Sequence, residues 1–430
     1  MPWLPEMGRR AALRLTALWL LAALGLAAFQ GQARLDGIHE VRVLETAREM
    51  LERGDWIVPY FSGAPRLEKP PLPYWSAALG YTLAGAPSVA AARYAVSALG
   101  LLMLVSVWAI ARAVGSARMA RLAVLTLSAC LLFNTEFRKA TTDPFLAAWS
   151  CAAIAGFVWA GRLRGARAAL CLGFAWLSVS LALLAKGPIA LAWTALGAFF
   201  LRPRDRRPNW GWHVPGLLLA CLPLGAWALL VWERLPDAYS LWRYEVLGRV
   251  TGEMPELRSR WFYFPALLGA VAPLLLPFLA ALVRGLRGRE PFALWFLAGL
   301  VFLLLLSSRK AAYLLPLMAP AALLTARYLE RAHEFAEGTW LIRLQLLINL
   351  LLTAALLGAA LAWRDHLSWG AGAMAALLCL AAGVQLRQLL LGRIRAAALA
   401  ARGALIVAFL NAALLPHLPK ERTLHNFAVY

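Results

Sequence analysis

Apolar runs of about 16–25 residues, the length that crosses a bilayer, recur along the chain between short polar connectors. The pattern predicts an all-α integral membrane protein with about thirteen transmembrane helices. Two polar stretches interrupt it, residues 31–73 and 232–261, and the tail after 418 is short. Within the first stretch, residues 36–53 place Leu44, Ala47 and Leu51, with Val43 and Met50, on one side at helical spacing. This predicts an amphipathic helix lying on the membrane surface, with Asp36 as its N-cap and Gly54 as its C′ residue. The next run, 74–85, is only about a dozen residues, too short to cross and expected at the interface.

Charge then orients the chain. The arginines sit in short connectors: Arg112, Arg118 and Arg121; Arg162, Arg164 and Arg167; Arg202, Arg204, Arg206 and Arg207; Arg284, Arg287 and Arg289; Arg327 and Arg331; Arg387, Arg393 and Arg395. With a cytoplasmic N-terminus, all of these fall inside, as the positive-inside rule requires, and the C-terminus lies outside. Counting run 74–85 as a span would invert every later connector. The first run, 15–29, follows Arg9, Arg10 and Arg14 and resembles a signal peptide, but it reads better as an uncleaved anchor because the topology needs it.

Composition narrows the classes further. The chain has 430 residues, 62% hydrophobic and 15% charged, with a net charge of +21. That charge sits in connectors and forms no face on a soluble domain, which argues against nucleic acid as a partner. Cys130, Cys151, Cys171, Cys221 and Cys379 lie inside apolar runs and show neither disulfide-framework nor zinc spacing. No repeat or linker is evident, so residues 1–430 read as one polytopic domain with no large soluble C-terminal domain.

The outer charges need another reason. Lys69, Lys139, Lys186, Lys310 and Lys420 all fall outside in this topology, as do most carboxylates. Glu68-Lys69-Pro70-Pro71 is stiffened by its prolines and suits a site. His39, Glu40 and Arg42 open the surface helix; Arg138-Lys139 and Asp143 form a second cluster; Glu245 and Arg249 lie in the second outer loop; Lys310 and Tyr313 follow a later span. Lys186-Gly187-Pro188 breaks another outer junction. Cations of this kind suit an anionic lipid phosphate, and carboxylates or a histidine suit a base for an incoming acceptor.

The segments Arg42–Met50, Gly54-Asp55-Trp56, Glu68–Trp75, Arg138–Asp143, Glu245/Arg249 and Arg309–Pro316 resemble the bacterial polyprenyl-phosphate-dependent glycosyltransferases of the C type, the group holding the lipid A aminoarabinose transferases and protein O-mannosyltransferases. The likeness covers roughly residues 10–330. It implies a GT-C-like fold in the bacterial cytoplasmic membrane and inverting transfer of a sugar from a polyprenyl-phosphate donor to a cell-envelope lipid, glycan or protein on the outer face. It also implies that Lys69 holds the donor phosphate, with Arg249 and Tyr313 as companions and Arg138 and Lys310 nearby. His39, Glu40 or Asp36 would be the base, with Asp143 catalytic and Arg42 and Glu245 supporting. Glu68 and Asp143 match carboxylates near a divalent metal in the family, although the loop spacing is no metal motif. Where the family usually has an Asp-Glu pair at the start of the surface helix, this chain has His39-Glu40, so the identity of the base stays open. A lipid-phosphate carrier, flippase or binding protein is the rival reading; it keeps the basic pocket and discards the base.

Overall fold

The structure is a computed structural model, and it describes Trp19, Ala23, residues 25–28, Gln30, Leu35 and residues 37–203, 210–243, 259–335, 338–362, 369–391 and 396–411. Asp36, Glu245 and Arg249 lie outside the described residues, as do Lys420 and most of the first apolar run. Apart from one two-residue hairpin, the described chain is helical.

The surface helix forms as the spacing predicts, as α1 (Ile38–Arg53), burying Val43, Leu44, Ala47 and Met50. Gly54 ends it in the left-handed region at φ 66°, where its N–H donates to Leu51 O. A hairpin of β1 (Tyr60–Phe61) and β2 (Ala64–Pro65) then turns through Ser62 and Gly63, both at positive φ. The short run is α2 (Leu72–Ala84), with prolines at its start that fit the first turn, where no N–H partner is needed. It packs between α1 and the long α3 (Val89–Val114).

The bundle continues through α4 (Ala117–Ser128), α5 (Leu131–Glu136), α6 (Thr142–Ala160), α7 (Gly165–Lys186), α8 (Ile189–Leu201) and α9 (Trp210–Arg234). Then come α10 (Tyr263–Ala270), α11 (Leu275–Arg287), α12 (Pro291–Leu305), a 3-10 segment (Ala311–Leu317) and α13 (Met318–Glu330). Three further helices, α14 (Gly338–Ala362), α15 (Trp369–Leu390) and α16 (Ala396–Phe409), pack on one another. The α6–α7 pair is the most extensive contact. Small residues permit it: a Cβ added at Gly156 would lie 2.8 Å from Ala175 Cβ and 2.9 Å from Cys171 O. Close backbone approach through small residues is how helices associate where lipid competes for apolar contacts.

Seven helices among the described residues are long and apolar enough to cross a membrane, or eight if α10 and α11, bent by 116°, count as one span. This is fewer than the spans expected from run length alone. Several apolar runs do not become one long helix: α8, α12 and α16 have 13, 15 and 14 residues, and α4 and α5 divide another run near Ala129-Cys130. The chain is nonetheless a multi-pass membrane protein, with apolar leucines and tryptophans covering the exposed helix faces.

Candidate active site at one end of the bundle

Helix ends and two non-helical segments meet around α1. The Gly54-Asp55-Trp56 segment anchors the approach. Asp55 Oδ1 accepts from Ile57 N at 2.9 Å and from Arg234 Nη1 at 2.8 Å, while Trp75 Nε1 donates to Trp56 O and Trp227 Nε1 to Ile57 O, both at 2.8 Å. Glu49, buried on α1, accepts from Gly63 N at 3.1 Å. The hairpin is therefore held on both sides, and it delivers the rigid Glu68–Pro71 segment to the start of α2.

In that segment Arg66 forks onto Glu68 through two hydrogen bonds of 3.1 and 2.9 Å, and Lys69 Nζ donates to Glu68 O at 2.9 Å. Arg66 also interacts with the buried Tyr74 hydroxyl. Across the site Asp143 occupies the first turn of α6, where the helix dipole favours a carboxylate. Its partner is Lys186 at the last turn of α7, and the Lys186 ammonium also lies 4.3 Å from the centre of the Tyr313 ring. Gly187 at φ 74° and Pro188 end α7 at this point, so Lys186 stands at a helix break rather than within a span. The 3-10 segment supplies Tyr313, and Lys310 just before it reaches His39, Nζ to Nε2 at 2.8 Å.

His39 lies exposed at the start of α1 with cations around it. Its pKa is lowered to about 4, first by partial burial of the ring, then by Lys310, Arg42 and Arg66, with Asp143 pulling the other way. The imidazole is therefore neutral near pH 7, and Nε2 is free of a proton to accept from the Lys310 ammonium. Lys310, Tyr313, Arg309 and Asp143 are also the groups electrostatically coupled to Tyr263 on α10. His39, Arg42, Asp143, Lys310 and Tyr313 thus share one site, and Glu68 and Lys69 adjoin it through Arg66.

Two expected site residues stand elsewhere. Glu40 is fully buried and forks onto Arg93 of α3 through two bonds of 2.8 Å, and it also accepts from Ala140 N at 2.9 Å. The structure thus places Glu40 in a buried ion pair, away from the exposed side of α1 where His39 meets Lys310. Arg138 is also buried, with its guanidinium donating to the carbonyls of Gly25 (3.1 Å), Leu26 (3.2 Å) and Ala28 (2.5 Å) rather than toward the site. It ties down carbonyls of the first apolar run. Arg93 joins the same knot by donating to Gln30 O at 3.0 Å, with Ser97 and Gln30 completing it.

The metal expectation also meets a different geometry. Both Glu68 oxygens accept from Arg66, Asp143 faces Lys186, and no group of three His, Cys, Asp or Glu residues suited to a metal occurs among the described residues. The described residues do not fit a metal site.

Sequence reasoning missed two residues. Lys186 reads from sequence as an outer lysine at a helix interruption, and a lysine beside a Gly-Pro break at a span end is itself a signal. Arg93 sits within an apolar run, where an arginine needs a partner, and that signal was present but unused.

With this geometry in place, kinship becomes specific. The family described as dolichyl-phosphate-mannose-protein mannosyltransferase matches residues 68–232. The undecaprenyl phosphate-alpha-4-amino-4-deoxy-L-arabinose arabinosyl transferase 1 of Sodalis glossinidius is 34% identical over 311 residues, 67% of this chain and 54% of that protein. The chain belongs to this transferase family. The corresponding Edwardsiella ictaluri transferase is 32% identical over 327 residues, covering 73% of this chain and 58% of that protein. The chain thus spans a little over half the length of the curated family members it matches. The crystal structure of ArnT from Cupriavidus metallidurans bound to undecaprenyl phosphate superposes with a TM-score of 0.76 at 24% identity, covering 95% of this chain and 78% of that one. Its apo state superposes with a TM-score of 0.73. The fold is accordingly the ArnT-like, GT-C fold of the family.

Proposed function

We propose that the chain is an inverting glycosyltransferase that moves a sugar from a polyprenyl-phosphate donor to a cell-envelope acceptor. One observation carries this reading: His39, Arg42, Asp143, Lys310 and Tyr313, scattered over some 270 positions of sequence, share one site beside the Glu68-Lys69 segment. Kinship with transferases named for undecaprenyl phosphate donors supports it.

In the reaction the acceptor oxygen attacks the sugar C1, the bond from C1 to the phosphate oxygen breaks, and the acceptor proton passes to a base. Polyprenyl phosphate leaves with an added negative charge. Lys69, Arg42 and Lys310 stabilise that developing charge, with Arg249 a further cation on the proposed phosphate side. Lys186 balances Asp143 and holds it against Tyr313, which fixes the carboxylate near the acceptor. His39, neutral near pH 7, is the base within the described residues, freed when Lys310 turns from the ring to the departing phosphate. Asp36 and Glu245 remain candidates for the same task and for its support.

The orientation proposed with this function puts the site on the periplasmic side of the bacterial cytoplasmic membrane, the N-terminus inside, and about thirteen crossings in all, with shorter helices completing the count. Transfer measured in membranes with a labelled polyprenyl-phosphate sugar tests the assignment. Lys69→Ala and Asp143→Asn are each expected to lower turnover by about a hundredfold. Wild-type turnover in both variants rules it out.

A further inference from the structure

Two cations of the site have no carboxylate partner among the described residues. Arg42 has its Nε buried without an acceptor, and Lys310 meets only the neutral Nε2 of His39, at 2.8 Å. The carboxylates close by are engaged: Glu68 by both arms of Arg66, Asp143 by Lys186. A polyprenyl-phosphate sugar is a phosphodiester with a single negative charge, and Lys69 already lies on its proposed path. Arg42 and Lys310, the cations that later meet the departing phosphate, therefore face the sugar carried on that phosphate while the donor is still intact.

We infer that the face formed by His39, Arg42 and Lys310 selects a transferred sugar without a cationic amine; the inference rests on the glycosyltransferase reading above. A neutral hydroxyl accepts a hydrogen bond from the exposed Lys310 ammonium and lies beside the Arg42 cation without repulsion. A protonated amino group offers only donors and positive charge to the same groups, so its binding is opposed by repulsion and by desolvation without compensation. The curated relatives are named for 4-amino-4-deoxy-L-arabinose, whose amine is protonated near neutral pH. His39, its pKa lowered to about 4 first by partial burial and then by Lys310 and Arg42, stays neutral at pH 7 and offers an ammonium no counter-charge.

The test compares two donors that differ in one substituent, undecaprenyl phosphate-linked L-arabinose and its 4-amino-4-deoxy counterpart, as competitors of labelled undecaprenyl phosphate on the full detergent-solubilised chain. The neutral donor is expected to bind about tenfold more tightly. His39→Asp and Lys310→Gln are each expected to narrow or invert that ratio, and because the ratio is read within each variant, partial loss of folded protein cancels. Equal or tighter binding of the amino donor by the unmodified chain overturns the inference while leaving the transferase reading intact. A ratio that neither variant moves also overturns it. If undecaprenyl phosphate itself fails to bind, the lipid-phosphate reading falls, and this inference falls with it.

Discussion

Replacing Glu40 by glutamine separates a structural acid from a catalytic one. The Glu40 side chain is 0% exposed and that of Arg93 is 1% exposed, and the two are joined by paired bonds of 2.8 Å. An amide at position 40 still accepts from Ala140 N, but it removes the charge that Glu40 sets against the buried Arg93 guanidinium. Breaking a buried pair by removing one partner costs about 3–5 kcal/mol. The retained hydrogen bonds place this case near the lower figure, about 3 kcal/mol, which for a chain of 430 residues corresponds to a fall of about 3 °C in the unfolding midpoint. Heating the detergent-solubilised protein and following its monodisperse fraction by gel filtration reads that shift directly. The paired change Glu40→Leu with Arg93→Met removes both charges together and is expected to recover most of the lost midpoint. If Glu40→Gln kept the wild-type midpoint yet abolished turnover, the buried-pair reasoning would be wrong and Glu40 would return as a base.

Three further outcomes are expected. Lys186→Met leaves Asp143 without its cation and Tyr313 without its stacked ammonium, so turnover of the protein that remains folded is expected to fall at least about tenfold; an unaltered rate shows that Lys186 does not position Asp143. Gly156→Leu forces side-chain atoms into Ala175 and Cys171 at the α6–α7 contact and is expected to cost at least about 2 kcal/mol, read as a lower midpoint; a neutral result would mean that the two helices separate freely. His39, with its pKa lowered to about 4, binds fewer protons folded than unfolded, so its contribution to stability weakens as pH falls from about 6.5 toward 4. The rate profile should accordingly lack a histidine limb near pH 6.5, and Lys310→Gln should raise the His39 pKa and move its limb to higher pH; a limb at 6.5 in the unmodified protein contradicts the assignment.

Much of the fold was legible in local pattern. The spacing of Val43, Leu44, Ala47 and Met50 and the glycine after Arg53 were enough to locate α1, because amphipathicity and a left-handed cap act within a few residues. Run length was a weaker guide. It marked where apolar helices lie but not that α10 and α11 bend by 116° or that α8 stops at 13 residues, because breaks are stabilised by neighbours that a window of sequence does not contain. The resemblance of Glu68–Trp75 and Arg309–Pro316 to the polyprenyl-phosphate transferases pointed to the chemistry without showing which charges meet.

By itself, the sequence determined membrane residence, the amphipathic helix α1 and the set of ionisable groups available for chemistry, since all three follow from composition and short-range periodicity. Only the tertiary structure decided their partners. Glu40 and His39 are adjacent, yet the turn of a helix sends one carboxylate inward to Arg93, 53 residues away, and leaves the imidazole facing Lys310, 271 residues away. In a low-dielectric interior a charge must find its counter-charge or a hydrogen bond, and packing of whole helices sets which one comes within reach.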